Sequence, residues 1–511
     1  MTAKQPAMGR LISSFWACLG LGVLFSSAFL AMLMRAQDRQ DLFWSKTDTI
    51  ALFIVVLAIA AFLHLGYIVL LKTIPARVFN RLFHLLFVVV AFGLIQLFPA
   101  KVWTTVGIPP DWGYGSILLA GLGLSALSAS GFLPNARIVL WKVCVAMALL
   151  YPLLFGQLIL KPSFIAAADL DGTIFEPHGT TAPSVVIFVF DSISMAQCVD
   201  ANGEWRPDLP ALDALCAESL YFENAVSCGV GTTMSLPNFL FQRDPVEFNC
   251  NAWNDSWFGI NPLSFTNGIL YSAKEQGYHT AAVGAYLPFS QMFYPLLDGC
   301  LEFPLTRFVP PTSFAHRLAN SALSILAYAR GPFQGSIVAG IPRLRWVPTW
   351  MSERYFAQTT RQAQAAIETH LQRMGPQGYF FFAYMAIPHS PAIFLPDGQI
   401  DSMLATYETQ LKYTDNVLGN FLEVMKAQGT YDHSWVLVTS DHGHHGFDLS
   451  PTEHRHVPFI VKAPGSQCAR AVRPSLPLWR LAPFFQNIFA GKDVASCIRA
   501  LPVPVGLKNE E

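Results

Sequence analysis

The sequence predicts an α-helical transmembrane bundle followed by an α/β domain in which a central sheet is flanked by helices. Three observations carry this. Of 511 residues, 52% are hydrophobic and 13% charged, too apolar for an ordinary soluble chain, and the excess falls in the first third. Beyond it, apolar runs of strand length alternate with amphipathic runs of helix length. Several strand-like runs stop abruptly at Asp or His, as in Trp435 to Phe447, WVLVTSDHGHHGF, and α/β sheets present their chemistry where strands stop. The expected division is residues 1–160 for the bundle, 161–183 for a linker and 184–511 for the large C-terminal domain.

Five apolar stretches make up the bundle: Leu11 to Met34, Thr49 to Leu71, Phe79 to Phe98, Gly115 to Phe132 and Ile138 to Leu160. The fourth is short and rich in Gly and Ser, which suits a helix packed among the others. Five spans put the two ends of the chain on opposite sides of the membrane. Lys4, Arg10, Lys72, Arg77, Arg81 and Arg137 lie on one side against Arg35, Arg39, Lys46 and Lys101 on the other, a bias toward a cytoplasmic N-terminus and an exported C-terminal domain. The first span lacks a small-residue cleavage site and reads as a retained anchor. Of nine cysteines, seven fall in the exported part, a density compatible with disulfides such as Cys198 with Cys216 and Cys468 with Cys497. A net charge of −1 without a sustained basic patch excludes a nucleic-acid partner.

After the linker, Ser184 to Phe190 is a strand that ends at Asp191. Leu209 to Leu220 is an amphipathic helix and Tyr221 to Ala225 a short strand. Ser227 to Pro237, SCGVGTTMSLP, follows: Gly229 and Gly231 permit a tight turn, and Thr232 or Thr233 then opens a helix near Met234, where free N–H groups favour an anion. A threonine there is either a plain helix cap or a nucleophile in need of activation. Asn267 to Gln276 is a helix and Thr280 to Gly284 a strand. Pro304 to Trp350 is either a loop packed on the domain or, with Arg343, Arg345, Trp346 and Trp350, a segment at a membrane interface. Ser352 to Met374 is a helix. Tyr379 to Ile387 is a buried strand that ends at Pro388 and His389, Thr406 to Lys426 is a strong helix, and Trp435 to Val438 is the strand that leads into Asp441 and His442. His454 and His456 precede a strand over Val457 to Val461, and Leu476 to Gly491 is a covering helix.

Asp441 and His442 combine a hard oxygen with an imidazole nitrogen, a pairing that suits Zn²⁺ and tolerates Mn²⁺; the simpler reading has Asp441 as a cap and the histidines solvated. If Asp191, Asp441 and His442 hold one ion, it lowers the pKa of the threonine hydroxyl beside it. His389 is either a further ligand or a histidine held stiffly between prolines.

On these motifs the chain resembles the alkaline phosphatase and sulfatase superfamily, and within it the membrane-anchored phosphoethanolamine transferases that modify lipid A. SCGVGTTMSLP is similar to that family's Ser-Cys-Gly-x-x-Thr-x-x-Ser-x-Pro; HSP at His389, YETQLKYTD at Tyr407 to Asp415, SDHG at Ser440 and HVP at His456 also match. The resemblance implies a mixed sheet, Thr232 as nucleophile and a zinc ion held by Asp191, Thr232, Asp441 and His442. It also implies a catalytic, second-metal or substrate role for His389 and His456. This chain departs from the family in having Asp191 where Glu is usual, Asn238 where a cysteine follows the motif proline, and His444 and His445 after SDHG. The Cys-x-Pro-x-Arg motif on which sulfatases depend is absent, since Cys228 is followed by Gly-Val-Gly.

The expectation is a monomeric, multi-pass enzyme of the bacterial inner membrane with its catalytic domain in the periplasm. It would transfer phosphoethanolamine, or a similar phospho-alcohol, from a phospholipid donor to lipid A or another glycan or lipid acceptor through phospho-threonine. The alternatives are a phosphodiesterase or phosphatase that uses water as acceptor, and a non-catalytic membrane interaction module.

Overall fold

Six residues of Val, Ile and Phe followed by one aspartate form β1 (Val185–Asp191), buried along its whole length. In the computed structural model the described residues are 7–25, 46–75, 122, 136–160, 180–200, 204–245, 261–303, 313–330, 342–444, 453–465 and 470–503. The chain divides into two units, Met1–Phe164 with Arg307–Ser352, and Ile165–Thr306 with Glu353–Glu511.

The second unit is built on one mixed sheet. Its strands are β1, β2 (Leu220–Val226), β3 (His279–Ala285), β4 (Gly299–Phe303), β5 (Tyr379–Pro388), β6 (Trp435–Ser440), β7 (His456–Lys462), β8 (Arg470–Val472) and β9 (Leu476–Pro477). Their order is β4-β3-β5-β1-β6-β7-β2-β8, with β9 paired to β2. Strands β4, β3, β5, β1 and β6 run parallel, and β7 turns antiparallel between β6 and β2. Burial on both faces explains why β1, β5 and β6 are continuous apolar runs rather than alternating ones.

Because β5, β1 and β6 are parallel neighbours, their carboxyl ends lie side by side, and Asp191, His389 and Asp441 stand at those ends. The site follows from that register. At the end of β1 the ladder slips, so that Asp191 pairs with Pro388 while Phe190 pairs with Met385. The two extra residues lie on β5, so it is the end of that strand, leading into His389, that bends. Ser192 then adopts a left-handed backbone (φ +71°), a costly conformation for a non-glycine residue, held here by hydrogen bonds to both aspartates.

Strands β4, β8 and β9 are additional to the sequence expectation, and the covering helix begins later than expected, at Ala482–Phe489 after the turn Leu478–Arg480. Cys198, Cys216 and Cys497 are free thiols, so neither of the two suggested disulfides is present; Cys468 itself lies outside the described residues. Cys198 and Cys216 are instead part of the apolar core.

In the first unit, helices Lys46–Thr73 and Ala136–Leu160 cover the second and fifth expected spans, and helix Ala7–Phe25 covers the first as far as Phe25, with residues 26–34 outside those described. Phe79 to Phe98 and Gly115 to Phe132 fall almost wholly outside the described residues. Among those described, one helix is long and apolar enough to cross a membrane, Lys46–Leu70, with a shorter apolar helix over Ser14–Val23. Close packing is built in at Gly20, where a Cβ would lie 1.7 Å from the Cys144 carbonyl oxygen. Helix Phe314–Arg330 belongs to this unit, and its Arg317 pairs at 2.8 Å with the buried Asp48.

Candidate metal centre and cleft

Thr232 is the first residue of helix Thr232–Phe241, after an extended Gly231, so its side chain stands where the first-turn N–H groups point outward. Leu236, Phe239 and Leu240, on the same side of that helix as Thr232, are buried, and Ser235 Oγ donates to the carbonyl oxygen of Asp441. Packing thus ties the helix to the end of β6.

Around Thr232 the structure gathers Asp191, Asp441 and His442, whose ligating atoms all lie within 4.8 Å of one another and which are all buried. His442 Nε2 is 3.3 Å from Asp191 Oδ1, 3.5 Å from Asp441 Oδ2 and 3.5 Å from Thr232 Oγ1. The other ring nitrogen, Nδ1, is 2.9 Å from the Gly443 carbonyl oxygen, to which it must donate, and the neutral imidazole then aims the Nε2 lone pair at the carboxylates. Asp441 Oδ1 accepts from the N–H groups of Ser192 and His442, whereas Oδ2 is buried and accepts no hydrogen bond among the described residues.

Two carboxylates converging on one imidazole in a dry pocket repel each other. Burial, and then Asp191, push Asp441 up to about 6. Burial works against the charged form of His442, but Asp441 and Asp191 outweigh it and the net direction is upward. A divalent cation among these three side chains relieves both the repulsion and the orphaned Oδ2, and two carboxylates with one imidazole form a donor set that zinc accepts. The residues fit the group.

One participant was not singled out from the sequence. The Tyr384 hydroxyl donates to Asp191 Oδ2 at 2.6 Å and lies 3.4 Å from Thr232 Oγ1. Burial and the two aspartates hold its phenol well above the ordinary range, so it acts as a neutral donor. The register Val189↔Tyr384 puts it on the same sheet face as Asp191, two residues on from Val189. Tyr407 donates to the Ser192 carbonyl oxygen at 2.8 Å and stacks on His444 with ring centroids 3.9 Å apart.

Next to these residues opens a cleft of about 380 Å³ lined by Asp191, Thr232, Thr233, His389 and His442, with Tyr286 and Phe356 as its aromatic wall. The His389 ring is half-buried, 6.4 Å from that of His442 between centroids. His456 is not brought in: it opens β7, pairs with Val226 and does not line the cleft. Cys228 is buried away from the cleft, and burial raises its thiol far above the ordinary value. Asn238 is fully buried. His445 lies outside the described residues.

Residues 183–476, more than half of the chain, match the family described as Sulfatase. No curated protein matches. Among solved structures, a protein in the alkaline phosphatase superfamily from Vibrio parahaemolyticus is 20% identical, over 64% of this chain and 73% of that one, with a TM-score of 0.40. A phosphonate monoester hydrolase of Agrobacterium radiobacter is 13% identical, over 64% and 79%, with a TM-score of 0.41. A sulfatase from Pseudoalteromonas sp. is 12% identical, over 60% and 68%, with a TM-score of 0.43.

Proposed function

The chain belongs to the sulfatase family, and from that premise we propose that it is a membrane-anchored, zinc-dependent phosphotransferase. It takes phosphoethanolamine, or a similar phospho-alcohol, from a phospholipid and passes it through phospho-Thr232 to a lipid- or glycan-linked acceptor, on the periplasmic face of a bacterial inner membrane. One observation carries the reading. Among the described residues the cleft is lined by two threonines, one carboxylate, two histidines and two aromatic rings, and by no Lys or Arg. A doubly charged phosphate-monoester end group calls for Arg or Lys forks. A phosphodiester has one negative charge, and an attached ammonium group is favoured by the faces of aromatic rings. Thr232 lines this cleft, whereas Cys228 does not, and Cys228 lacks the Cys-x-Pro-x-Arg context.

In the first half-reaction the Thr232 hydroxyl releases its proton to solvent water as Oγ1 bonds to phosphorus, and the bond to the diacylglycerol oxygen breaks. His389, on the cleft wall, would give that oxygen its proton. The N–H groups at the start of helix Thr232–Phe241 face the negative charge on the transferred group. Asp191, Thr232, Asp441 and His442 would hold the zinc ion, which supplies Lewis acidity and lowers the pKa of the Thr232 hydroxyl. In the second half-reaction an acceptor oxygen takes the phosphoryl group and Thr232 recovers its proton.

The test is a reconstituted full chain given phosphatidylethanolamine labelled in its headgroup, together with a lipid A acceptor. The label should appear on the protein and then on the acceptor. Release of all label as water-soluble phosphoethanolamine would make the protein a phosphodiesterase instead.

A further inference from the structure

The loop that leaves the cleft wall at His389, Ser390 and Pro391 runs to Thr406 and carries three exposed apolar side chains at its far end: Ile400 (44%), Met403 (93%) and Leu404 (65%). Exposed methionine and leucine usually sit on segments that move. This loop is fastened throughout. Ile393 and Phe394 are fully buried, and Phe394 stacks on Tyr413 at 4.5 Å. The buried Gln410 accepts from the N–H groups of Ile393 and Phe394 and donates to the His389 carbonyl oxygen at 2.7 Å. Farther out, Arg361 donates to the Gly398 carbonyl oxygen and Asn416 to that of Pro396.

The backbone of the tip is also satisfied from within. Asp401 Oδ1 accepts from the N–H groups of Met403 and Leu404, at 2.9 and 3.2 Å, and its carbonyl oxygen accepts from Ala405 at 2.8 Å. Water would serve those amides at no cost on an ordinary surface loop. Internal pairing becomes decisive where water is missing, because an unpaired N–H in hydrocarbon costs several kcal/mol.

We infer that Ile400, Met403 and Leu404 form a rigid wedge that seats the catalytic domain on a phospholipid bilayer, tip in the lipid and cleft wall at the surface. Three side chains are far short of the roughly 800 Å² per partner that a specific protein interface buries, so a second protein is the poorer occupant. The bilayer is at hand, since Lys46–Leu70 of the same chain is long and apolar enough to span one. Being held in advance, the wedge loses little conformational freedom on insertion. The two charged side chains of the tip region, Asp397 and Asp401, are acidic and already engaged with backbone N–H groups, so seating is driven by apolar burial rather than by attraction to anionic lipid.

The test uses the full chain reconstituted in phosphatidylcholine vesicles, with a nitroxide attached to Met403→Cys and, as a control, to Arg473→Cys, whose native side chain is 85% exposed. Power saturation compares access by oxygen, which concentrates in lipid, with access by a water-soluble nickel chelate, after subtraction of the signal from native thiols. The label at 403 should favour oxygen and the one at 473 nickel. Adding anionic lipid should leave both unchanged, and Leu404→Asp should move the 403 label toward nickel. A 403 label as open to nickel as the control, or shielded from both reagents by protein, overturns the inference. The readout does not depend on the reaction proposed above.

Discussion

Tyr384 sits in the middle of an aromatic strand, yet its hydroxyl is committed to Asp191 at 2.6 Å. By occupying Oδ2 it leaves Oδ1 to face His442, so it holds a ligand rather than being one. Tyr384→Phe keeps the ring and deletes that donor. The expected result is a fall of about 10- to 100-fold in zinc affinity, read by competition with a chelator. Folding should lose about 1–3 kcal/mol as well, and an affinity equal to that of the parent would show that Asp191 needs no support. This role could not be read from the sequence, because it depends on which residue of β5 lies opposite Val189, and pairing register is set by three-dimensional contacts. Asp191, Asp441 and His442 were legible for the opposite reason: each interrupts an apolar run, and in a parallel sheet the position of the interruption is the position of the site. His456 shares that local signature. It opens the antiparallel strand β7, whose start lies at the same end of the sheet as Asp441, yet its side chain does not line the cleft.

Among the elements, helix Tyr407–Ala427 ties several parts of the domain together. Its start is closed by a capping box between Thr406 and Thr409, and one turn further on Gln410 fastens the loop after β5. Asp415, on the same helix, reaches a neighbouring one and accepts from the N–H groups of Ala211 and Leu212, at 2.9 and 2.8 Å, so the cap of Pro210–Cys216 comes from a distant residue. Burial pushes Asp415 up to about 6 from 3.8, against the pull of those two N–H groups. The folded state therefore holds the proton at a pH where the unfolded chain has released it. This contribution is complete below 3.8 and is lost as pH rises through about 6, a change of roughly 3 kcal/mol. Hydrogen exchange across residues 209–217, corrected for intrinsic rates, should show protection that falls over this interval, and Asp415→Asn should flatten it. Protection that rises with pH in the parent would contradict the assignment. Long, strongly periodic elements such as this helix were read from sequence almost to the residue. The two- and three-residue strands β8 and β9 were not, since so short an edge has no period of its own and exists only because β2 lies beside it.

At the scale of the molecule, the division of the chain departs from simple linear order. Residues 307–352 group with the first 164, through a helix whose Arg317 neutralises a buried Asp48, and that partnership leaves no mark in local sequence. The apolar first third was plain from composition, as was an α/β domain from alternation. Under the proposed function, confinement to the bilayer would raise the effective concentration of donor and acceptor together. The central claim is that Thr232 carries the transferred group. Its most direct test is peptide mass spectrometry of the full chain, acid-quenched during turnover with zinc and phosphatidylethanolamine. A phosphoethanolamine adduct should be found on the peptide containing Thr232, and it should be absent in Thr232→Ala together with a loss of turnover on the order of 10⁴-fold or more. An unmodified Thr232, with the adduct on another side chain or with turnover surviving in Thr232→Ala, would contradict the account.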